Sequence, residues 1–405
     1  MVAEIRYIDL FAGCGGLSLG LHQAGLSGIF AIEKNPDAFN TLKYNLVEKT
    51  KHFLWPSWLP IQNWDIKDLI NIKKDEIKLL NGSVDLVVGG PPCQGFSMAG
   101  KRQETDARND LIHSYLDFVE LVNPDFIVFE NVLGFTVKFP SKNEKVEKVA
   151  YSKIVIDRLI KLGYKDAQGR LINVSEYGVP QNRKRFIVIA TKTGVSSEIF
   201  SELDKNRENF FAVKKIKNHN TTKDALSDLV YENGTTISTD TNRFEAGITS
   251  SPRSQLQLLL RKSEDHYVPD SHRYVNHTEK IRNAFVKLLE TAPRNKCISG
   301  KELVFYGIKK RNVTILDSNC PSPTITTIPD DYIHYSEPRI MTVRECARLQ
   351  TFPDWFEFKG PYTTGGKERT RSTPRYTQVG NAVPPLFAEQ IGLAIIHVCN
   401  GEIKE

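Results

Sequence analysis

The stretch "IRYIDLFAGCGGLSLG", residues 5–20, decides the fold. Its first six residues are mostly apolar, β-branched or aromatic, the composition of a buried strand. Glycines at 13, 15 and 16 end that run, and a helical period follows. A strand passing through a glycine-rich turn into a helix is the first half of a βαβ unit. In such a turn the missing side chains let backbone N–H groups approach a ligand at the helix N-terminus.

The same grammar repeats outward to about residue 190. The strand-like runs "GIFAIE", "VDLVVGG", "DFIVFEN" and "RFIVIA" alternate with the helical periods "DAFNTLKYNL", "LIHSYLDFVELV" and "YSKIVIDRLIKLG". Continuous apolar strands separated by helices imply an α/β fold with a doubly wound, mostly parallel sheet covered on both faces. Ligands of such sheets bind beyond the carboxyl ends of the strands. Residues 48–64 and 138–151 interrupt the grammar and are expected to be loop insertions. From 195 to about 335 it gives way to segments rich in Asn, Thr, Ser and Lys. "RECARLQTFPDWF" (344–356) then resumes a helical period, and "NAVPPLFAEQIGLAIIHV" (381–398) reads as a closing amphipathic helix that begins near its prolines. The expected organisation is one domain made of 1–194 and 338–405, with a smaller domain, 195–337, inserted late.

With 405 residues, 40% of them hydrophobic and 25% charged, the chain can bury a full core. It has no run of about 18 apolar residues and no charged-then-apolar leader, so the expectation is a soluble, unexported, cytoplasmic protein without a membrane partner. Six cysteines without metal spacing favour free thiols in a reducing compartment. Charge is unevenly placed. Residues 211–320 hold 18 Lys and Arg against 12 Asp and Glu, while the rest of the chain has 36 of each. The whole net charge of +6 therefore lies in one segment, as expected of a module that meets a polyanion.

The candidate chemistry falls just after strands. Glu33 lies 20 residues beyond Gly13, at the end of the next strand, where a carboxylate accepts hydrogen bonds from ribose hydroxyls. Turn and acid together indicate a nucleoside-containing cofactor, although Ser18 stands where a dinucleotide motif has its third glycine. Asp65 could meet an adenine amino group or be an ordinary surface residue. In "GGPPCQGFS" (89–97), Pro91 and Pro92 stiffen the approach to Cys93 and Gly95 allows a turn. On local sequence Cys93 is either a nucleophile, which needs an electropositive or helix-terminal setting, or a packed turn thiol. "FENV" puts Glu130 in the equivalent place on a neighbouring strand, where a carboxyl group beside a thiol can donate a proton. "QNRKRF" (181–186) alternates Arg183 and Arg185, read as two guanidinium groups on one face.

Taken in order, "DLFAGCGG", "GGPPCQGFS", "FENV", "QNRKRF", "RECARLQTFP" and "QVGNAVPP" resemble the DNA (cytosine-5) methyltransferase family over about residues 5–190 and 338–398. The resemblance implies an S-adenosylmethionine-dependent methyltransferase fold with a target-recognition domain at 195–337. It implies transfer of a methyl group from S-adenosylmethionine to carbon 5 of cytosine in double-stranded DNA, leaving S-adenosylhomocysteine and needing no metal. Cys93 would attack carbon 6 of a flipped base, Glu130 would hold ring nitrogen 3 and the exocyclic amine, and Arg185 with Arg183 would support the site. Cofactor contacts would map onto Phe11, Ala12, Gly13, Gly15, Leu17, Glu33, Asp65, Ile66, Pro92 and Asn381. The segment 94–110, with Gln94 and Ser97, would close over the base. Arg243, Arg253, Lys309, Lys310 and Arg311 would meet phosphates or guanine. A compact prokaryotic modification enzyme is expected, monomeric, active at the bacterial nucleoid and paired with a restriction endonuclease for the same site. The alternative is a tRNA cytosine-5 methyltransferase from the same family.

Overall fold

The computed structural model describes residues 4–92, 109–137, 150–363 and 372–402. The chain divides into two compact units, Met1–Asn173 with Lys184–Arg207 and Ala388–Glu405, and Val174–Arg183 with Glu208–Phe387. Of the expected inserted segment, residues 208–337 lie in the second unit, which continues to Phe387.

The first unit is built on strands β1 (Arg6–Leu10), β2 (Ser27–Ile32), β3 (Leu86–Gly89), β4 (Phe126–Val132) and β5 (Gln168–Asn173). After the two-residue β6 (Gln181–Asn182) of the second unit comes β7 (Lys184–Thr191), and the sheet order is β2-β1-β3-β4-β7-β5. Strands β2, β1, β3 and β4 are parallel, whereas β7 is antiparallel to both β4 and β5. Helices α1 (Gly16–Ala24), α2 (Pro36–Leu42), α3 (Ile66–Ile72), α4 (Lys74–Lys78), α5 (Asn109–Val122) and α6 (Tyr151–Lys161) connect the parallel strands and the edge. Every residue of β3 is buried. Each fully buried Val, Leu or Ile side chain contributes roughly 1.5–3 kcal/mol, so the continuous apolar strands are the main source of this unit's stability. The chain runs from β1 outward to β2 and then back across β1 to β3, which opens a crevice beyond the carboxyl ends of β1 and β3.

Residues 48–64 are more than a loop insertion. Phe53 bridges to Gly28 in parallel fashion, extending the sheet beyond β2. Trp55 and Trp58 pack edge-on against Phe30, and Leu59 is buried beneath them. Most of the insertion 138–151 lies outside the described residues. The closing helix forms as Pro385–Glu402 but is buried on nearly all sides from Pro384 to Gly392 rather than amphipathic. Residues 375–401 do contain a window apolar enough to cross a bilayer, yet 61% of it is buried inside the protein. That burial is what a core helix requires.

The second unit has a three-stranded sheet of Cys297–Ser299, Asn312–Ile315 and Tyr332–Ile333, with the helix Glu279–Thr291 sharing its core. The helix expected from 344–356 is shorter, Val343–Leu349, and its arginines are wholly buried. Arg348 Nε donates to Asp354 at 2.6 Å, and Arg348 also pairs with Asp228, as does Arg261 at 2.7 Å. Charges are buried without ruin only when paired and hydrogen-bonded in this way.

Asp9 breaks the apolar pattern of β1. It is 1% exposed, accepts from Ser18 Oγ at 2.5 Å through Oδ2, and has no hydrogen-bond partner for Oδ1. Burial pushes its pKa up to about 7, opposed by the Ser18 hydrogen bond and reinforced by nearby Glu33. The folded chain thus holds a proton that the unfolded chain releases near 3.8, so this carboxyl lowers stability progressively as pH rises from there to about 7. Asp9→Asn keeps a Ser18 acceptor and removes the titration. Chemical denaturation between about pH 5 and 8 should show the variant gaining on the wild type by up to ~1.4 kcal/mol per pH unit, and parallel profiles would refute the assignment.

Candidate active site

The glycine-rich turn after β1 takes left-handed backbone at Phe11, Gly13 and Gly15, with φ of 60, 57 and 92 degrees. Its position is set by two hydrogen bonds to the end of β2. Ala12 N–H donates to Ile32 O at 3.0 Å, and Gly13 N–H donates to Glu33 Oε2 at 2.9 Å. The Gly13 N–H is therefore engaged by protein, a correction to the expectation that the turn offers it to a ligand. What Gly13 does offer is space, since a Cβ there would meet nothing within 4 Å. Gly15 is needed for packing, because a Cβ would fall 2.9 Å from Leu46. It caps α1 without any side-chain acceptor, so the helix begins with a partial positive charge beside the open position over Gly13. Ala12 and Leu17 are buried and brace the turn from below.

Glu33 is fixed by accepting from Gly13 N–H and, through Oε1 at 2.6 Å, from Asn35 N–H. Burial raises its pKa, and the backbone donors of Asn35, Gly13 and Lys34 pull the other way. Each oxygen keeps a second lone pair for a hydroxyl donor. Asp65, for all the inserted residues before it, reaches the same neighbourhood. Trp64 N–H donates to Glu33 O at 2.9 Å, and Asp65 pairs with Lys34 at 2.7 Å. Asp65 also caps α3 through Lys67 N–H, while Ile66 is buried in the core. These residues suit the nucleoside of S-adenosylmethionine: open space over Gly13, an uncapped helix start, and two anchored carboxylates, Glu33 and Asp65, on segments joined by the Trp64 N–H to Glu33 O bond.

Beyond β3 and β4 stands the second half of the site. Arg185 Nε pairs with Glu130 Oε1 at 2.7 Å, with side-chain exposures of 12% and 13%. Burial lowers the Arg185 pKa, partly offset by Glu130. The inversion of β7 makes this pair possible. Were β7 parallel, its first residues would lie at the opposite edge; antiparallel pairing sets Arg185 opposite Val132, at the carboxyl end of β4. Gly90 brings the loop after β3 against the pair, since a Cβ there would lie 2.8 Å from Glu130 Oε2. Asn131 Nδ2 donates to Pro91 O at 3.3 Å, tying "GGPP" to "FENV". Pro92 is exposed where this loop leaves the sheet, while Cys93, Gln94, Ser97 and all of 94–110 except its last two residues lie outside the described residues.

The expectation of two guanidinium groups on one face does not hold. Strand geometry breaks between β6 and β7, and Arg183 turns into the second unit, donating to Gly380 O at 3.0 Å and Ala382 O at 3.1 Å. It braces the turn that follows the exposed Asn381. Of the basic candidates in the second unit, Arg243, Arg253, Lys309 and Arg311 are exposed, whereas Lys310 is tied to Asp330 at 3.3 Å. Sequence reading passed over Asp9 and Gly90. An acidic residue inside an apolar strand was the available signal for the first; nothing in one sequence marks the second.

A crevice at a sheet reversal, a glycine turn tied to an acidic residue, and a carboxylate–guanidinium pair at adjacent strand ends define a methyltransferase fold that takes S-adenosylmethionine. A family model described as C-5 cytosine-specific DNA methylase matches residues 5–397. Type II methyltransferase M.DdeI of Desulfomicrobium norvegicum is 32% identical, covering 96% of this chain and 87% of its own. Type II methyltransferase M.XorII of Xanthomonas oryzae pv. oryzae is 30% identical, covering 95% and 83%. A crystal structure assigned as a DNA modification methyltransferase encoded within an Escherichia coli prophage shares the fold, with a TM-score of 0.62 at 24% identity, covering 98% of this chain and 100% of that one. The chain belongs to the C-5 cytosine-specific DNA methylase family, whose methyl donor is S-adenosylmethionine, and it is a DNA (cytosine-5-)-methyltransferase.

Gly90→Ala should displace Glu130 from Arg185 while leaving the sheet intact. The expected result is a fall in kcat/KM for methyl transfer of at least about tenfold, or ~1.4 kcal/mol, with a small change in melting temperature. Wild-type kinetics would mean that the close approach does not serve the site.

Proposed function

We propose that this protein methylates carbon 5 of one cytosine within a specific double-stranded DNA sequence, with Cys93 as the nucleophile. A cytosine in a duplex is hidden by stacking, so the base must be flipped out, at a cost of a few kcal/mol, before a thiol can reach it. The Cys93 sulfur then bonds to carbon 6, and the electron pair of the 5,6 double bond moves toward carbon 5. Glu130, steered by Arg185, holds ring nitrogen 3 and the exocyclic amine as that charge develops. S-adenosylmethionine, when bound, supplies the methyl group. Loss of the carbon 5 proton and departure of the Cys93 sulfur restore the double bond. Phe11, Ala12, Gly13, Gly15, Leu17, Glu33, Asp65, Ile66, Pro92 and Asn381 are the proposed cofactor residues, and 94–110, with Gln94 and Ser97, the loop over the base. Arg183 acts as a brace rather than as a contact to the base.

The observation that carries this reading is the Glu130–Arg185 pair held against Gly90, three residues before Cys93. The segment 195–337 is proposed to read the target, supported by the net charge of +6 carried by residues 211–320 within it. The Type II relatives support a restriction-modification role beside an endonuclease for the same site; we further propose that the enzyme works as a monomer, in the cytoplasm at the nucleoid.

Labelled S-adenosylmethionine should place its methyl in 5-methyldeoxycytidine on duplex DNA, and label found only in tRNA would overturn the DNA assignment. Cys93→Ala should lose at least about 10³-fold in transfer while keeping cofactor and DNA affinity. Exchanging 195–337 for the matching segment of a relative should change the methylated sequence and leave the cofactor Kd unchanged; unchanged specificity would place target reading elsewhere.

A further inference from the structure

In the second unit, the strands Cys297–Ser299 and Asn312–Ile315 pair antiparallel, with Ser299 opposite Asn312. Residues 300–311, "GKELVFYGIKKR", are the finger that joins them. It is held at both ends. Ser299 and Glu302 form a reciprocal capping box at the start of the helix Gly300–Leu303. Gly300 packs so closely on the returning chain that a Cβ would lie 2.8 Å from Lys310 O. Leu303 and Ile308 are buried in the core, and Tyr306 Oη lies 3.1 Å from Thr291 Oγ1.

Between these anchors, Val304 and Phe305 sit on a single helical turn ended by left-handed Gly307, and they are 68% and 90% exposed. Phe305 exceeds every other exposed large hydrophobic residue described. One exposed apolar side chain is ordinary, but two adjacent ones on a braced turn form a presented surface. Cations surround it. Lys301, Lys309 and Arg311 are exposed on the finger, and exposed Lys280 comes within 3.9 Å of where a Gly307 Cβ would be. The finger's sole acidic residue, Glu302, is engaged in the capping box.

A surface with an apolar tip and a cationic surround fits a ligand that offers flat apolar groups a few ångströms from negative charge. We propose that the finger 300–311 docks on the duplex DNA substrate, with Phe305 against base faces or sugars in a groove and Lys301, Lys309, Arg311 and Lys280 on the flanking phosphates. Apolar wedges of this kind unstack base steps in other DNA-binding folds, while lysines and arginines on phosphates supply salt-dependent affinity. DNA is preferred over an anionic membrane because residues 211–320, which include the finger, carry the whole charge surplus of a DNA-modifying enzyme. The inference rests on the reading that the second unit holds the DNA.

The full-length wild type, Phe305→Ala, Phe305→Leu and the double variant Lys309→Ala with Arg311→Ala are compared on unmethylated plasmid DNA. Melting temperature verifies folding, and cofactor affinity provides the control. Phe305→Ala should weaken DNA binding and lower kcat/KM about tenfold without changing the slope of log Kd against log salt, whereas Phe305→Leu should recover most of the loss. The double variant should reduce that slope by about one to two. Wild-type affinity and kcat/KM in a folded Phe305→Ala would overturn the finger's role while leaving the DNA reading intact. A wild type that methylates no DNA would overturn both. Loss of self-association or of binding to anionic phospholipid vesicles in Phe305→Ala, with DNA kinetics unchanged, would reassign the patch to a protein or membrane partner.

Discussion

The ion pair between Glu130 and Arg185 is the interaction on which the geometry of the site depends. Two charges close to burial attract strongly but lose hydration, and breaking such a pair by removing one partner costs about 3–5 kcal/mol because the other remains uncompensated. Arg185 can reach Glu130 only because β7 runs against the parallel strands and begins where β4 ends. Glu130 in turn packs against the loop after β3, where a Cβ at Gly90 would lie 2.8 Å from its carboxylate, so a side chain there would have to displace Glu130. Strand direction, ion pair and loop path are therefore one constraint.

The cofactor half follows a parallel logic with backbone donors in place of a guanidinium. Glu33 is held by two N–H groups, one from the glycine turn and one from its own strand end, so a single carboxylate locks β1 to β2 at the edge where a nucleoside would bind. Asp65 joins through Lys34 and through Trp64 N–H. The insertion before it supplies the tryptophans that cover Phe30, and so holds this corner from outside. Under the turn lies Asp9, with one oxygen satisfied and one bare. A buried acid in that condition strains the fold as pH rises, the kind of local inconsistency that sequences tolerate near function.

Sequence alone was enough for the sheet where burial on both faces produces continuous apolar runs, as in β1, β3, β4 and β7. It missed β5, whose first four residues are exposed on the sheet edge and therefore carry no apolar run. Strand direction is equally invisible to periodicity, because a buried strand has the same composition either way. "QNRKRF" was accordingly assigned to the correct edge, but with two arginines on one face. In fact the strand break at Arg183 sends the two guanidinium groups into different units. Glu33 and Glu130 could be picked out as candidates because charged residues at strand ends stand out, whereas Asp65, the N-cap of α3, carried only a weak local signal; Gly90 was not picked out, because its contact is with a residue 40 positions away.

Counting charges located the basic module but did not say which cations face solvent. Arg261, Arg344 and Arg348 are buried in the second unit, neutralised by Asp228 and Asp354 or bonded to carbonyls. Such residues add to formal charge and nothing to attraction at a distance, since each is matched at contact range. What a polyanion meets is the exposed remainder, which includes Arg243 and Arg253 and the cations around the finger. The buried arginines have the complementary task. They tie Asp228, Asp270 and Asp354 together inside the second unit, whereas the proposed aromatic tip stands on the three-stranded sheet and its own small core. A side chain can press into stacked bases only if the backbone behind it resists more than the stack does.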